Sequence, residues 1–294
     1  MNGSPLYRVY QRSLRSYQKG IASGSLFCRW YETGIRWAAT ALTVLSGFTF
    51  PERRTGGWWW TRRWRFEALM GWYEPELVEF CAQSIRPGAT VIDVGGNIAL
   101  YSRFFSRLAG RKGRVFVFEP NPENVEVIRR NIRGARYRNV EVIWSAVSDR
   151  DGTAILHISP GHSNHSLIAG YTEAVAKIEV PTIRIDTFLR KRGIDRVDFI
   201  KTDTEGANFL AVEGMRETVA RLPGIVLLVE YNPVGMKLGG MTPAGLAPLL
   251  ESLGFAVRAM RPDWTVVDPA VLDDKEQANL LCVRRGAPAR QPWL

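Results

Sequence analysis

The chain has 294 residues, with 39 Lys and Arg against 29 Asp and Glu, a formal net charge of +10, and 46% apolar and 23% charged residues. That balance excludes wholesale disorder and fibrous repeats, and the length suits one large domain, or one plus an extension. Cys28, Cys81 and Cys282 are odd in number and form no C-x-x-C pair, which argues against a disulfide framework or a cysteine-rich zinc site and for a reducing, cytoplasmic setting.

The charge is unevenly spread. Residues 1–65 hold 11 basic residues against two acids and six of the ten tryptophans, whereas residues 66–294 hold 28 basic residues against 27 acids. This contrast divides the chain into a basic, tryptophan-rich N-terminal extension (1–65) and a nearly neutral domain (66–294). The one sustained uncharged run in the extension, residues 37–51, is short for a spanning helix and carries several hydroxyl side chains. It also lies too late for a secretory leader. The stretch Trp58 to Arg65 mixes indoles with guanidinium groups. Three readings suit it: a cap on the domain or contact with a partner, peripheral contact with an anionic membrane, or stacking on single-stranded nucleic acid. We weigh them in that order and expect no specific nucleic-acid partner.

Regular alternation begins near residue 75. Helical spacing covers Glu76–Ile85, ended by Pro87-Gly88, and Thr90–Val94 is a short apolar strand opening into Gly95-Gly96-Asn97. A helix over Ala99–Leu108 follows, then a second strand, Arg114–Phe118, ending at Glu119-Pro120. Asn121 or Asn124 can cap a helix running to Arg133, and Val140–Ser145 is the third strand. Thr153–Ile158 and Lys177–Ile185 then read as a β-hairpin excursion. Alternation resumes with a fourth strand at Val197–Lys201, a helix from about Ala207, a fifth strand at Gly224–Glu230, a helix over Thr242–Leu253, and closing strands at Phe255–Met260 and Asn279–Val283. Nearly continuous apolar strands between helices predict an α/β, mostly parallel sheet covered on both faces.

Ligands of such sheets bind beyond the carboxyl ends of the strands. There the sequence places Asp93, Gly95, Gly96 and Asn97 after strand one, Glu119 after strand two, Asp203 and Glu205 after strand four, and Glu230 with Asn232 after strand five. The glycines permit a sharp turn and close backbone approach, although D-V-G-G-N is not a full dinucleotide fingerprint. Glu119, 26 positions after Asp93, suits the ribose hydroxyls of an adenosine-containing ligand. The acid-lined edge favours a cation over a polyanion.

Residues 91–102 (VIDVGGNIALYS), 118–124 (FEPNPEN), 146–152 (AVSDRDG) and 199–208 (FIKTDTEGAN), with GWYEPEL ahead of the first strand, resemble the FkbM family of S-adenosylmethionine-dependent methyltransferases in order and spacing. The resemblance covers about residues 68–260. It implies a Rossmann-like methyltransferase fold with a seven-stranded sheet, S-adenosylmethionine as cofactor, and methyl transfer to a hydroxyl on a sugar, glycan or secondary metabolite. It further implies a cofactor site at Asp93, Gly95, Gly96, Asn97 and Glu119, with Ala146 and Val147 flanking the adenine. The family's usual D-V-G-A-N-I-G ends here in Ala99, and its I-K-I-D-V-E-G-A-E reads with Thr202, Thr204 and Asn208.

For the chemistry, Asp203 or Glu205 is the candidate general base. Lys201 either steadies developing negative charge or simply partners Asp203. His157, His162 and His165 fall within nine residues. Solvated loop side chains are the favoured reading for them, ahead of acceptor contacts, and no metal is expected. Competing functions are a non-catalytic nucleoside-binding or scaffold protein with a decayed site and, further behind, a nicotinamide-dependent oxidoreductase.

Overall fold

The computed structural model describes residues 9–10, 12–13, 26–46, 67, 73–134, 137–161 and 163–286. The tryptophan-rich stretch Trp58 to Arg65 and His162 lie outside them. The chain divides into two compact units, Met1–Cys81 and Ala82–Leu294. In the first, α1 (Leu26–Ser46) takes in most of the uncharged run and buries Ile35 and Ala39. Tyr10 donates to Glu67 Oε1 at 2.9 Å. Among the described residues no helix is long and apolar enough to cross a membrane.

After α2 (Pro75–Ser84), the larger unit opens with β1 (Thr90–Val94), α3 (Leu100–Ala109), β2 (Arg114–Glu119), α4 (Pro122–Gly134) and β3 (Val140–Trp144). These elements fall within a residue or two of their predicted ends, because glycine turns and polar caps bound each apolar run. Asn121 is the α4 cap, its side chain accepting from Glu123 N at 2.9 Å. The excursion is β4 (Ala146–Val147), β5 (Gly152–Ile158) and β6 (Ala176–Ile183). It forms a separate three-stranded sheet ordered β4-β6-β5, one strand more than the predicted hairpin.

The chain then runs through α5 (Ile185–Arg192), β7 (Phe199–Thr202), α6 (Asn208–Glu213), α7 (Arg216–Arg221), β8 (Val226–Tyr231), α8 (Pro233–Leu238), α9 (Leu246–Ser252), β9 (Phe255–Met260), β10 (Val266–Val267) and β11 (Ala278–Arg284). Helix α5 is absent from the sequence reading, which carried the preceding strand to Ile185. Its apolar residues Ile185, Phe188 and Leu189 are buried. Buried Asp186 accepts from Thr218 N at 2.8 Å and from Arg184 at 2.7 Å, tying α5 to the start of α7.

The main sheet is ordered β10-β9-β11-β8-β7-β1-β2-β3. Five strands are parallel, and β11 inserts antiparallel between β8 and β9. The expected seven strands become eight because Val266–Val267 adds a short edge to β9. Central β1, β2 and β7 are buried on nearly every residue, as a sheet covered on both faces requires. From β1 the chain steps outward to β2 and β3. It then returns to the other side of β1 through β7 and β8. The order therefore reverses beside β1, which opens a crevice at the carboxyl ends of β1, β2 and β7.

Candidate active site

The loop after β1 is shaped by what lies beneath it. Gly95 has φ +82°, and a Cβ there would stand 1.8 Å from the Asp203 carbonyl oxygen, so only glycine lets this loop lie against the end of β7. Gly95 N and Gly96 N both donate to Phe118 O, at 2.9 and 3.0 Å. A Cβ on Gly96 would meet Val117 Cγ1 at 2.2 Å, so Gly96 serves loop packing. Asn97 and Ala99 both hold left-handed backbone, φ 49° and 70°. Ala99 sits at the start of α3, where its methyl is an added cost in that conformation.

Buried Glu119 receives the loop. Its Oε2 accepts from Asn97 N at 2.8 Å and its Oε1 from Asn121 N at 2.9 Å. Burial nonetheless pushes its carboxyl up to about 7, against the pull of those bonds. Asp93, also buried, accepts from Ser102 Oγ through Oδ2. Its Oδ1 and the Oδ1 of Asn97 are buried with no partner among the described residues. Burial raises the Asp93 carboxyl to about 6, opposed chiefly by the nearby Lys201.

Strand β7 delivers the second cluster. Lys201 pairs in register with Asp93, is buried, and places Nζ 2.9 Å from Asp203 Oδ2 and 4.7 Å from the Tyr101 ring centroid. Glu205 holds φ 51°, and its Oε2 accepts from Tyr171 Oη at 2.7 Å. Tyr171 Oη in turn accepts from Asn232 Nδ2 at 2.7 Å, while Asn232 Oδ1 caps α8 by accepting from Gly235 N at 3.1 Å. Behind Glu205, half-buried Glu230 accepts from Asn208 Nδ2 at 2.9 Å, and Asn208 Oδ1 accepts from Thr204 N at 3.2 Å. Burial first, and Asp203 second, raise Glu205 to about 7 and Glu230 well above the carboxylate range.

Between these clusters lies a narrow cleft of about 90 Å³. Gly95, Asn97, Glu119, Ala146, Val147, Asp203 and Glu205 all line it. Asp93, Gly96 and Lys201 stand behind that wall. Its far side is the segment after β5, with Asn164, His165 and Leu167. His165 Nδ1 accepts from Ser159 N at 3.1 Å, and His157 is buried in β5, bridged to Ser166. His157 is therefore not a solvated loop side chain, whereas His165 is a half-buried loop side chain on the cleft. Among the described residues no group of His, Cys, Asp and Glu is placed to hold a metal. The sequence reading missed Tyr171 and the Asn208–Glu230 pair, since a lone tyrosine in an irregular loop and an amide facing an acid carry no spacing signal.

The family model of the methyltransferase FkbM domain matches residues 93–257, from Asp93 in β1 into β9. The chain is 25% identical to methyltransferase sdnD of Sordaria araneosa, covering 59% of this chain and 76% of that protein. It is 27% identical to the 2-O-methyltransferase NoeI of Sinorhizobium fredii, covering 60% and 76%. It is also 27% identical to the 31-O-demethyl-FK506 methyltransferase FkbM of Streptomyces tacrolimicus, covering 60% and 75%. With more than half of its length inside that family model, the chain belongs to the FkbM family of S-adenosylmethionine-dependent methyltransferases.

Proposed function

We propose that this protein methylates a hydroxyl oxygen on a small acceptor, either a sugar or glycan or a secondary metabolite, with Glu205 as general base. The observation that carries the reading is a half-buried carboxylate on the cleft wall, raised to about 7 chiefly by desolvation and aligned by Tyr171. A base raised toward neutrality in this way is matched to accepting a hydroxyl proton. The names of two relatives, a 2-O-methyltransferase and a 31-O-demethyl-FK506 methyltransferase, point to oxygen as the acceptor atom.

The residues present fit the cofactor. Two orphaned buried acceptors, Asp93 Oδ1 and Asn97 Oδ1, sit by a loop whose backbone tolerates no side chain at Gly95. An acid-lined cleft favours a ligand that is cationic and rich in donors. When bound, S-adenosylmethionine supplies an electrophilic methyl group. In our reading Glu119 holds the ribose hydroxyls, Ala146 and Val147 face the adenine, and Gly95 and Asn97 contact the amino-acid end. Asp93 and Gly96 shape the loop from behind. Asp203, fixed by Lys201, orients the acceptor beside Glu205, so Lys201 is a positioning residue. Holding acceptor and methyl in line is itself worth several kcal/mol.

The decayed-scaffold alternative loses ground on one departure from the family pattern, since Asn208 is fully engaged by Thr204 N and Glu230. We read residues 1–65 as a separate basic extension that serves as a cap or partner contact ahead of peripheral contact with anionic membrane, and residues 66–294 as the catalytic domain. The test incubates purified protein with labelled S-adenosylmethionine and a panel of sugars and hydroxylated metabolites, following a 14-dalton gain. Glu205→Gln should abolish that gain while still binding S-adenosylhomocysteine in calorimetry. Undiminished transfer by the variant would refute Glu205 as base.

A further inference from the structure

The near neutrality of residues 66–294 conceals a second segregation of charge. Residues 103–138 hold ten basic residues and three acids, so the rest of that range is left with 18 basic residues against 24 acids. The basic segment runs from α3 to the start of β3, and part of it lines a cleft at the amino-terminal ends of β2 and β3. Arg114 opens β2 and Glu119 closes it, so the cleft lies about one strand length, roughly 16 Å, from the methyl-transfer site and at the opposite edge of the sheet.

The cleft has a rigid frame. Asn139 Nδ2 donates to Gly110 O at 2.9 Å and to Ser106 O at 3.2 Å, and Val115 N donates to Asn139 O at 2.8 Å. These bonds tie the end of α3 to the approach of β3. Arg103 and Arg107 stand 5.5 and 5.8 Å from the Tyr137 ring centroid, which fixes one wall. Into this frame project Arg111, Lys112 and Arg138, all exposed and without an acidic partner among the described residues. Glu141, the one acid lining the cleft, is taken by Arg192 at 2.6 Å. Gathering cations around one concavity with no acid to neutralise them costs self-repulsion, which an anionic ligand relieves.

We propose that this cleft is an anionic-phospholipid site, in which Arg111, Lys112 and Arg138 grip lipid phosphates at a membrane surface and leave the carboxyl-end cleft open. Guanidinium forks match phosphate oxygens bidentately, and a surface that is basic at one edge and acidic at the other is oriented by a negatively charged bilayer. The proposal is independent of the methyl-transfer reading and of the N-terminal extension.

Hydrogen-exchange mass spectrometry on the full chain tests it, with phosphatidylglycerol vesicles, phosphatidylcholine vesicles and inorganic phosphate as three arms. Slower exchange in residues 106–116 and 137–141 with phosphatidylglycerol alone is expected. The Arg111→Glu/Lys112→Glu/Arg138→Glu variant should lose that protection and partition about tenfold or more weakly onto the vesicles. The corresponding glutamine variant, which adds no negative charge, should show the same loss in smaller degree. Vesicle binding with no protection of these segments, or variants that bind as well as the parent, overturns the proposal. Equal protection by inorganic phosphate overturns the lipid assignment and makes the cleft a site for a soluble phosphate.

Discussion

Asn208 donates its side-chain amide to Glu230 at 2.9 Å and accepts from Thr204 N on its other atom. A residue that departs from the family pattern thus satisfies a desolvated carboxylate. A carboxylate in its place would face Glu230 with like charge and offer it no donor. Asn208→Asp should cost about 2 kcal/mol or more of stability at pH 8. The loss should shrink at pH 5, where the pair can share a proton. Urea denaturation at the two pH values checks this, and an equal loss at both would refute the charge argument.

The ligand-free protein should gain stability as pH falls from 7.5 to 5.5. Burial raises Glu119 and Glu205 to about 7 and Asp93 to about 6. A carboxyl whose folded value exceeds its unfolded one is most favourable to folding while neutral. Its contribution is lost as pH rises from the ordinary carboxylate range through the folded value. The combined swing is on the order of 2–4 kcal/mol. A melting temperature that falls on acidification over this window would contradict the buried-acid account.

S-adenosylhomocysteine should bind more tightly at pH 7.5 than at pH 6, since an ionised Glu119 accepts hydroxyl donors better than a neutral one. Glu119→Gln should weaken binding about tenfold or more and flatten that pH dependence. Calorimetry across the range reads both effects, and an unchanged dissociation constant would remove Glu119 from the cofactor site.

Two loop substitutions should act in opposite directions. Gly95→Ala drives a methyl into the Asp203 carbonyl at φ +82° and should cost about 3 kcal/mol or more, with loss of cofactor binding. Ala99→Gly relieves left-handed strain at φ 70° and should stabilise the fold by about 0.5–1 kcal/mol. Thermal denaturation of both variants decides the matter.

Tyr171→Phe removes the donor that lowers the Glu205 value. The low-pH limb of methyl transfer should therefore move to higher pH, and kcat at pH 7 should fall several-fold. S-adenosylhomocysteine affinity should hold. A uniform drop with no shift of the limb would reduce Tyr171 to a packing role.

Much of the fold was legible because short apolar strands, glycine turns and polar caps coincide in sequence. Thr90–Val94 and Phe255–Met260 fall on their predicted residues for that reason. Helix α5 was not legible, since its first residue, Ile185, follows a strand without a breaker. Of the site, Glu119 and Asp203 were readable as acids that interrupt apolar strands. Tyr171 was not, because it reaches Glu205 across 34 positions of chain, a contact made by folding alone.

The sequence by itself determined the family, the order of the strands along the chain, and which polar residues end those strands, because each rests on local pattern. Only the tertiary structure decided which acids become buried neighbours, that Lys201 is held by Asp203, and that a cluster of cations gathers at the far edge of the sheet. Burial and electrostatic coupling depend on what packs above a residue, and that neighbour is rarely near in sequence.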